Sequence, residues 1–154
     1  MVPVKYENAR DFGKDGIAVV QEYTYWKYID SVGKIIIKKG RKNAWSFCGG
    51  RGRITVGGKY GFVDQKGSLV IEAELESAED FSENGVAVFG EKGKYGAIDI
   101  YGNVIVEAKY DRLSRFNEQG YAVAKENGKY ELISGDGTAV TSPEYDAVGK
   151  MLER

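Results

Sequence analysis

The sequence contains no histidine, one cysteine and two prolines in 154 residues. Each shortage excludes a class of chemistry. Without histidine there is no Ser-His or Cys-His triad, no imidazole base and no ordinary zinc site. A lone Cys48 forbids an internal disulfide, which fits a reducing compartment. No apolar run is long enough to span a membrane as a helix, and Met1 to Tyr6 hold no apolar leader segment. The expectation is a chain without a leader, acting in the cytoplasm. No cofactor, metal site or enzyme activity is expected.

What is present is glycine and aromatic side chains: 21 Gly, 11 Tyr, 6 Phe and 2 Trp. With so little proline, that mixture suits many short strands joined by tight turns. A chain of this length can bury roughly 70% of its unfolded surface, so it needs no staple to fold.

The order comes from a repeat. Trp26, Tyr60, Tyr95 and Tyr130 are spaced by 34, 35 and 35 residues, and Phe12, Phe47, Phe81 and Phe116 by 35, 34 and 35. Each copy runs from an Ala- or Leu-led turn to its phenylalanine, then through an alternating strand, a polar turn and an aromatic strand. A glycine turn and a third strand follow, such as Leu69-Val70-Ile71 or Val104-Ile105-Val106. Gly33, Gly67, Gly102 and Gly137 mark the second turn, where positive φ is needed. Asp30, Asp64 and Asp99 open that turn and are read as capping it through their own backbone.

These residues carry a resemblance. Lys59-Tyr60-Gly61-Phe62-Val63-Asp64 and Lys94-Tyr95-Gly96-Ala97-Ile98-Asp99 resemble the signature of the bacterial WG-repeat family (KWG, or WG β-repeat). Tyr replaces the signature Trp in three copies. The glycine after it is Lys27 in the first copy and Glu131 in the last, and Pro-x-Tyr survives as Pro143-Glu144-Tyr145. The resemblance implies a β-repeat protein. The expected fold is all-β: four antiparallel three-stranded copies of about 35 residues in an open twisted array, with a small closed β-propeller as the alternative. The copies fall at about 4–37, 38–71, 72–106 and 107–141, with 142–154 as a partial copy or cap. The chain also begins and ends in one phase, since Val4-Lys5-Tyr6 matches Pro143-Glu144-Tyr145.

Charge is divided unevenly along the chain. Ser31 to Val63 carries eight basic residues and no acid, whereas Asp64 to Glu91 carries eight acids against one lysine. Such asymmetry speaks to partners and not to fold. The basic stretch is also the most divergent copy: Arg41-Lys42 stand where a later copy has Tyr110-Asp111. Lys38, Lys39, Arg41, Lys42, Trp45, Arg51 and Arg53 are the candidate binding residues. The competing reading is a solvated or internally neutralised face, with Phe47 in the core and Arg51 and Arg53 preceding a shifted strand, Ile54-Thr55-Val56. Two partner classes follow. The first is another protein, in an adaptor or inhibitor (immunity-type) role. The second is a nucleic acid, nucleotide or other anionic ligand met by basic residues interleaved with aromatics. Charge-driven self-association is a further expectation.

Other features read as structural. Glu72, Glu74 and Glu76 suit protection of a strand edge better than a carboxylate pair. Gly49-Gly50-Arg51-Gly52 lacks the strand-loop-helix context and Lys-Ser/Thr of a phosphate loop. Cys48 reads as a buried or incidental thiol. The Trp26, Tyr60, Tyr95, Tyr130 ladder reads as stacked core, with a carbohydrate-binding stripe as its alternative.

Overall fold

The structure, a computed structural model, describes residues 6–10, 12, 15–36, 41–138 and 140. Its described secondary structure is entirely strand and turn. The chain divides into two compact halves, residues 1–75 and 76–154.

The N-terminal half holds two antiparallel sheets. The first is β1 (Asn8–Ala9), β2 (Ala18–Glu22) and β3 (Tyr25–Ile29), in that order. The second is β4 (Asn43–Cys48), β5 (Arg51–Val56), β6 (Lys59–Val63) and β7 (Leu69–Leu75). The C-terminal half repeats the plan. One sheet is β8 (Ser77–Ala78), β9 (Val86–Glu91), β10 (Lys94–Asp99) and β11 (Val104–Tyr110). The other is β12 (Arg112–Leu113), β13 (Tyr121–Glu126) and β14 (Lys129–Ser134). Every pairing joins sequence neighbours, as hairpin-connected strands should. The expected all-β fold of four antiparallel copies is present, and none of the four sheets closes on itself as a barrel.

The strand count differs from the expected three. The Ala- or Leu-led segments read as turns begin with an outer strand that pairs with the next one. Ala78 lies opposite Phe89, and Leu113 opposite Ala124. Two sheets are therefore four-stranded. The matching segments Val4-Lys5, Lys38, Lys39 and Pro143-Glu144-Tyr145 lie outside the described residues.

Phe47, Phe81 and Phe116 are buried, in line with their repeat position, whereas Phe12 is 48% exposed. In the N-terminal half Phe47 packs with Ile17, Val19, Tyr28, Ile54 and Val63. In the other half Val88, Ala97, Val106, Phe116 and Ile133 form the corresponding core. The turn aspartates behave as read: Asp64 Oδ1 accepts the Lys66 and Ser68 amides, and Asp99 Oδ1 those of Tyr101 and Asn103.

The aromatic ladder is not the stacked core that its spacing suggests. Trp26, Tyr60 and Tyr130 are only half-buried and Tyr95 is exposed. Three of the four rings are met by cations: Arg10 lies 4.6 Å from the Trp26 ring centroid, Arg53 5.8 Å from Tyr60 and Lys125 5.4 Å from Tyr130. A half-buried ring leaves a face on which a basic side chain can lie while its charged end stays hydrated.

The glycine after the aromatic has a steric reason. Between Tyr95↔Tyr110 and Ala97↔Val106 the partner strand carries extra residues, a bulge opposite Gly96. A Cβ on Gly96 would lie 2.3 Å from Val106 O and 2.8 Å from Ala108 N. Gly61 is covered in the same way, with Ile71 O at 2.6 Å. In the last copy the position is Glu131, buried at 5% exposure. Tyr110 hydrogen-bonds the Glu131 side chain. Burial, together with that carboxylate, pushes the Tyr110 hydroxyl well above the ordinary tyrosine range.

Candidate functional site

The basic copy is a regular sheet. Arg51-Gly52-Arg53 do not precede a shifted strand but form its first half. In the register, Arg53 lies opposite Phe62 as Val88 lies opposite Ala97. Two arginines thus occupy positions that are buried valines in the third copy.

Arg53 can lie there because its guanidinium covers aromatic surface. Its Cζ is 4.4 Å from the Trp45 ring centroid and 5.8 Å from Tyr60. The two rings are themselves 5.8 Å apart and tilted by 37°. Trp45 is thus a half-buried shelf under an arginine, and one of its faces is already occupied. Arg51 is at the other end of β5, where its Nη1 donates to Gly50 O. At about 3.3 Å per residue, it lies roughly 17 Å along the strand from Val56. The structure therefore splits the candidate set and leaves Arg51 out of the groove described next.

That groove, about 490 Å³, opens at the β5–β6 hairpin. Arg41, Lys42, the Gly57-Gly58 turn, Tyr25 and Tyr60 are among the residues that line it. Arg41 is fixed by its backbone, which exchanges two hydrogen bonds with Trp26 at 2.7 and 2.9 Å. Its Nε is buried with no hydrogen-bond partner among the described residues. Lys42 is exposed. Among the described residues, neither these two nor Lys34 and Lys59 form an ion pair. Lys38 and Lys39 lie outside the described residues.

One functional position was not seen in the sequence. Glu76 Oε2 accepts the Lys92 amide at 2.9 Å, and Asp111 Oδ2 accepts the Asn127 amide at 3.2 Å. Lys92 and Asn127 are equivalent: each is the first residue of a hairpin turn, with φ of 52°. An acid near the start of a copy thus caps that copy's own first hairpin. Glu76 was read as edge protection, but it does this instead. Glu72 and Glu74 do lie exposed on β7, an edge strand. The available signal was the acid at 7, 76 and 111, broken by Lys42.

Asp111 also pairs with Lys94. The Lys94 hydrogen bond leads the effects that hold its carboxyl below the usual 3.8. A depressed carboxyl contributes fully above its unfolded pKa, and that contribution is lost as pH falls through the folded value. Lys94→Ala should therefore return the Asp111 pKa toward 3.8. The Asn127 amide should then lose its acceptor at a higher pH than in the parent. Carboxyl and amide chemical shifts followed from pH 6 to 2 check this, and unchanged midpoints would rule out the pairing.

Among the described residues, no cluster of acids and cysteine could hold a metal ion, and no helix is long and apolar enough to cross a membrane. What the fold and groove define is a β-repeat protein with one electropositive copy. The model of the WG containing repeat matches residues 1–26, 60–95 and 95–130, more than half of the chain. The chain belongs to this WG-repeat family. The match skips residues 27–59, the stretch that holds the groove's cations. No curated protein matches the chain. Among solved structures, the crystal structure of a eukaryotic initiation factor is similar, with a TM-score of 0.61 at 9% identity. The similarity covers 94% of this chain and 46% of that one, so this chain spans less than half of that protein's length. At such low identity the likeness concerns fold alone.

Proposed function

We propose that this chain is a non-enzymatic binding protein of the cytoplasm whose partner is another protein, docked through an acidic surface onto the basic copy of the N-terminal half. The observation that supports this reading is the groove of Arg41 and Lys42. Its cations make no ion pair within the described chain, and aromatic side chains rim it. Burying a charge without a partner is costly, so unpaired cations beside aromatic surface suit a complementary acidic face. An adaptor or an inhibitor of the immunity type would use the site in this way. A nucleic acid is the weaker reading. Base stacking needs an open ring face, and Arg53 covers Trp45.

The test is capture from the source cell's lysate on immobilised protein, with and without nuclease, at low and high salt. One stoichiometric protein that survives nuclease is expected, and Lys42→Glu with Lys59→Glu should release it. Both lysines are exposed, so the fold should survive the change. Recovery of nucleic acid, or of partners lost to nuclease, would move the assignment to a phosphate ligand with a steep salt dependence. Sedimentation at two ionic strengths covers self-association. A dimer that dissociates in salt would make a second copy the partner.

A further inference from the structure

Three consecutive hairpins share one turn. Gly57 and Gly58 have φ of 59° and 82°, Lys92 and Gly93 52° and 80°, Asn127 and Gly128 52° and 79°. The first amide of the turn therefore takes a like orientation in each. In two of the three that amide is met by a carboxylate, from Glu76 or Asp111. In the remaining copy the capping position is Lys42, 34 residues before Glu76, which itself lies 35 before Asp111. No described group accepts the Gly57 amide. Glu7, at the first copy's matching position, shows no contact with its turn, so the cap is a feature of the copies that carry it and not of every copy.

We infer that the groove beside Gly57 is a carboxylate-binding subsite. An acidic side chain of a protein partner takes the place that Glu76 and Asp111 fill elsewhere, accepting the Gly57 amide and pairing with Lys42 and Arg41. This deepens the function proposed above and rests on it for the identity of the partner. The chemistry is consistent on each side. The repeat itself shows that a carboxylate fits at such a turn amide. Lysine in place of the acid changes the local charge from negative to positive, so an incoming anion is attracted instead of repelled. Arg41 adds a second cation with a buried, unpartnered Nε at the groove wall. Charge-assisted hydrogen bonds to an amide and to cations are the strong kind. Carboxylate is preferred over phosphate because the matching turns hold a carboxylate and because the groove is rimmed by tyrosines, not by further cations.

The experiment is a backbone amide NMR titration of the full chain with a capped tetraglutamate peptide, run beside inorganic phosphate and a short oligothymidylate. The peptide should shift the Gly57 and Gly58 amides saturably, and Lys42→Ala should weaken it by at least about tenfold, the loss of one charge-assisted contact. Lys42→Glu is the decisive variant. Its own carboxylate should cap Gly57, moving that amide downfield and slowing its exchange without ligand, and it should abolish the peptide response. If the Gly57 amide is unmoved by peptide, or moves equally in Lys42→Ala, the subsite is wrong. If phosphate or the oligonucleotide shifts Gly57 at lower concentration than the peptide, the carboxylate assignment is overturned in favour of a phosphate. The two proposals fail separately. A captured protein that ignores Lys42→Glu removes the subsite and leaves the function. A peptide that binds at Gly57, with no protein captured, does the reverse.

Discussion

Gly96→Ala should destabilise the C-terminal half by about 3 kcal/mol, the upper part of the range for overpacked sites. The added Cβ would lie 2.3 Å from Val106 O and 2.8 Å from both Ala108 N and Glu107 C. All three contacts are backbone, so no rotamer change relieves them. The bulge between Val106 and Tyr110 must lift away from β10, and the register on either side of it is then at risk. Gly61→Ala should behave alike, with Ile71 O at 2.6 Å. Gly93→Ala is the control. Its Cβ meets nothing within 4 Å, so the cost is that of a positive φ alone, about 1–2 kcal/mol. Denaturant midpoints of the three variants check the order. A Gly96→Ala variant less destabilised than Gly93→Ala would show that the bulge does not press on the glycine.

The same contact explains how legible the repeat was. The glycine of the signature could be counted in the sequence, but its cause is a bulge on another strand ten residues away, which no local pattern announces. Lys27 and Glu131 could be seen as departures. That Glu131 becomes a buried partner of Tyr110 could not, because the two meet across β-strands of different sheets. Phenylalanines at a fixed period were read as core, and Phe47, Phe81 and Phe116 are core. The period-2 strands and the Asp-initiated turns were also legible, since alternation and an Asx turn are properties of five or six consecutive residues. A two-residue strand such as Ser77–Ala78 has no alternation to detect, so the outer strands of the first, third and fourth copies read as turn.

The candidate site shows the limits of reading charge along a line. Arg51 and Arg53 are two residues apart in sequence and share one face of β5, yet the structure gives one to the Gly50 carbonyl and the other to the Trp45 ring. Arg41 and Lys42 are adjacent to neither in sequence, and the β4–β5 pairing places Asn43 opposite Thr55, bringing them to the hairpin. The cap made by Glu76 and Asp111 was hidden because each acid acts 16 residues downstream, beyond the reach of any local pattern. It becomes visible only when acids are aligned to the next hairpin, and then Lys42 stands out as the reversed position.

Tyr28→Phe should cost about 1–3 kcal/mol and loosen the strand that carries the groove. Tyr28 is 1% exposed and its ring meets Phe47 edge-on at 5.0 Å. Its hydroxyl donates to Trp45 O at 2.6 Å, with Arg53 O at 3.3 Å. The room for that hydroxyl comes from Gly52, where a Cβ would lie 2.8 Å from it and 2.6 Å from the Phe47 ring. The first and third copies have alanine at that place, Ala18 and Ala87, so the basic copy gives up a methyl group and gains a hydrogen bond between sheets. Removing the oxygen leaves a carbonyl of β4 without this donor, which carries the penalty quoted. Tyr28→Ala removes the ring as well and should cost about 3–5 kcal/mol. In a Trp26→Phe background, Trp45 emission should shift to the red in Tyr28→Phe, because the shelf becomes wetter. Lys42 immediately precedes β4, so acidic-peptide affinity should fall with the same variant, whereas Lys42→Ala should leave stability within about 0.5 kcal/mol. A Tyr28→Phe protein that loses stability but binds the peptide unchanged would confine the subsite to the Gly57 hairpin and remove β4 from it. A protein that loses neither would mean that the hydroxyl does not hold the two sheets together at all.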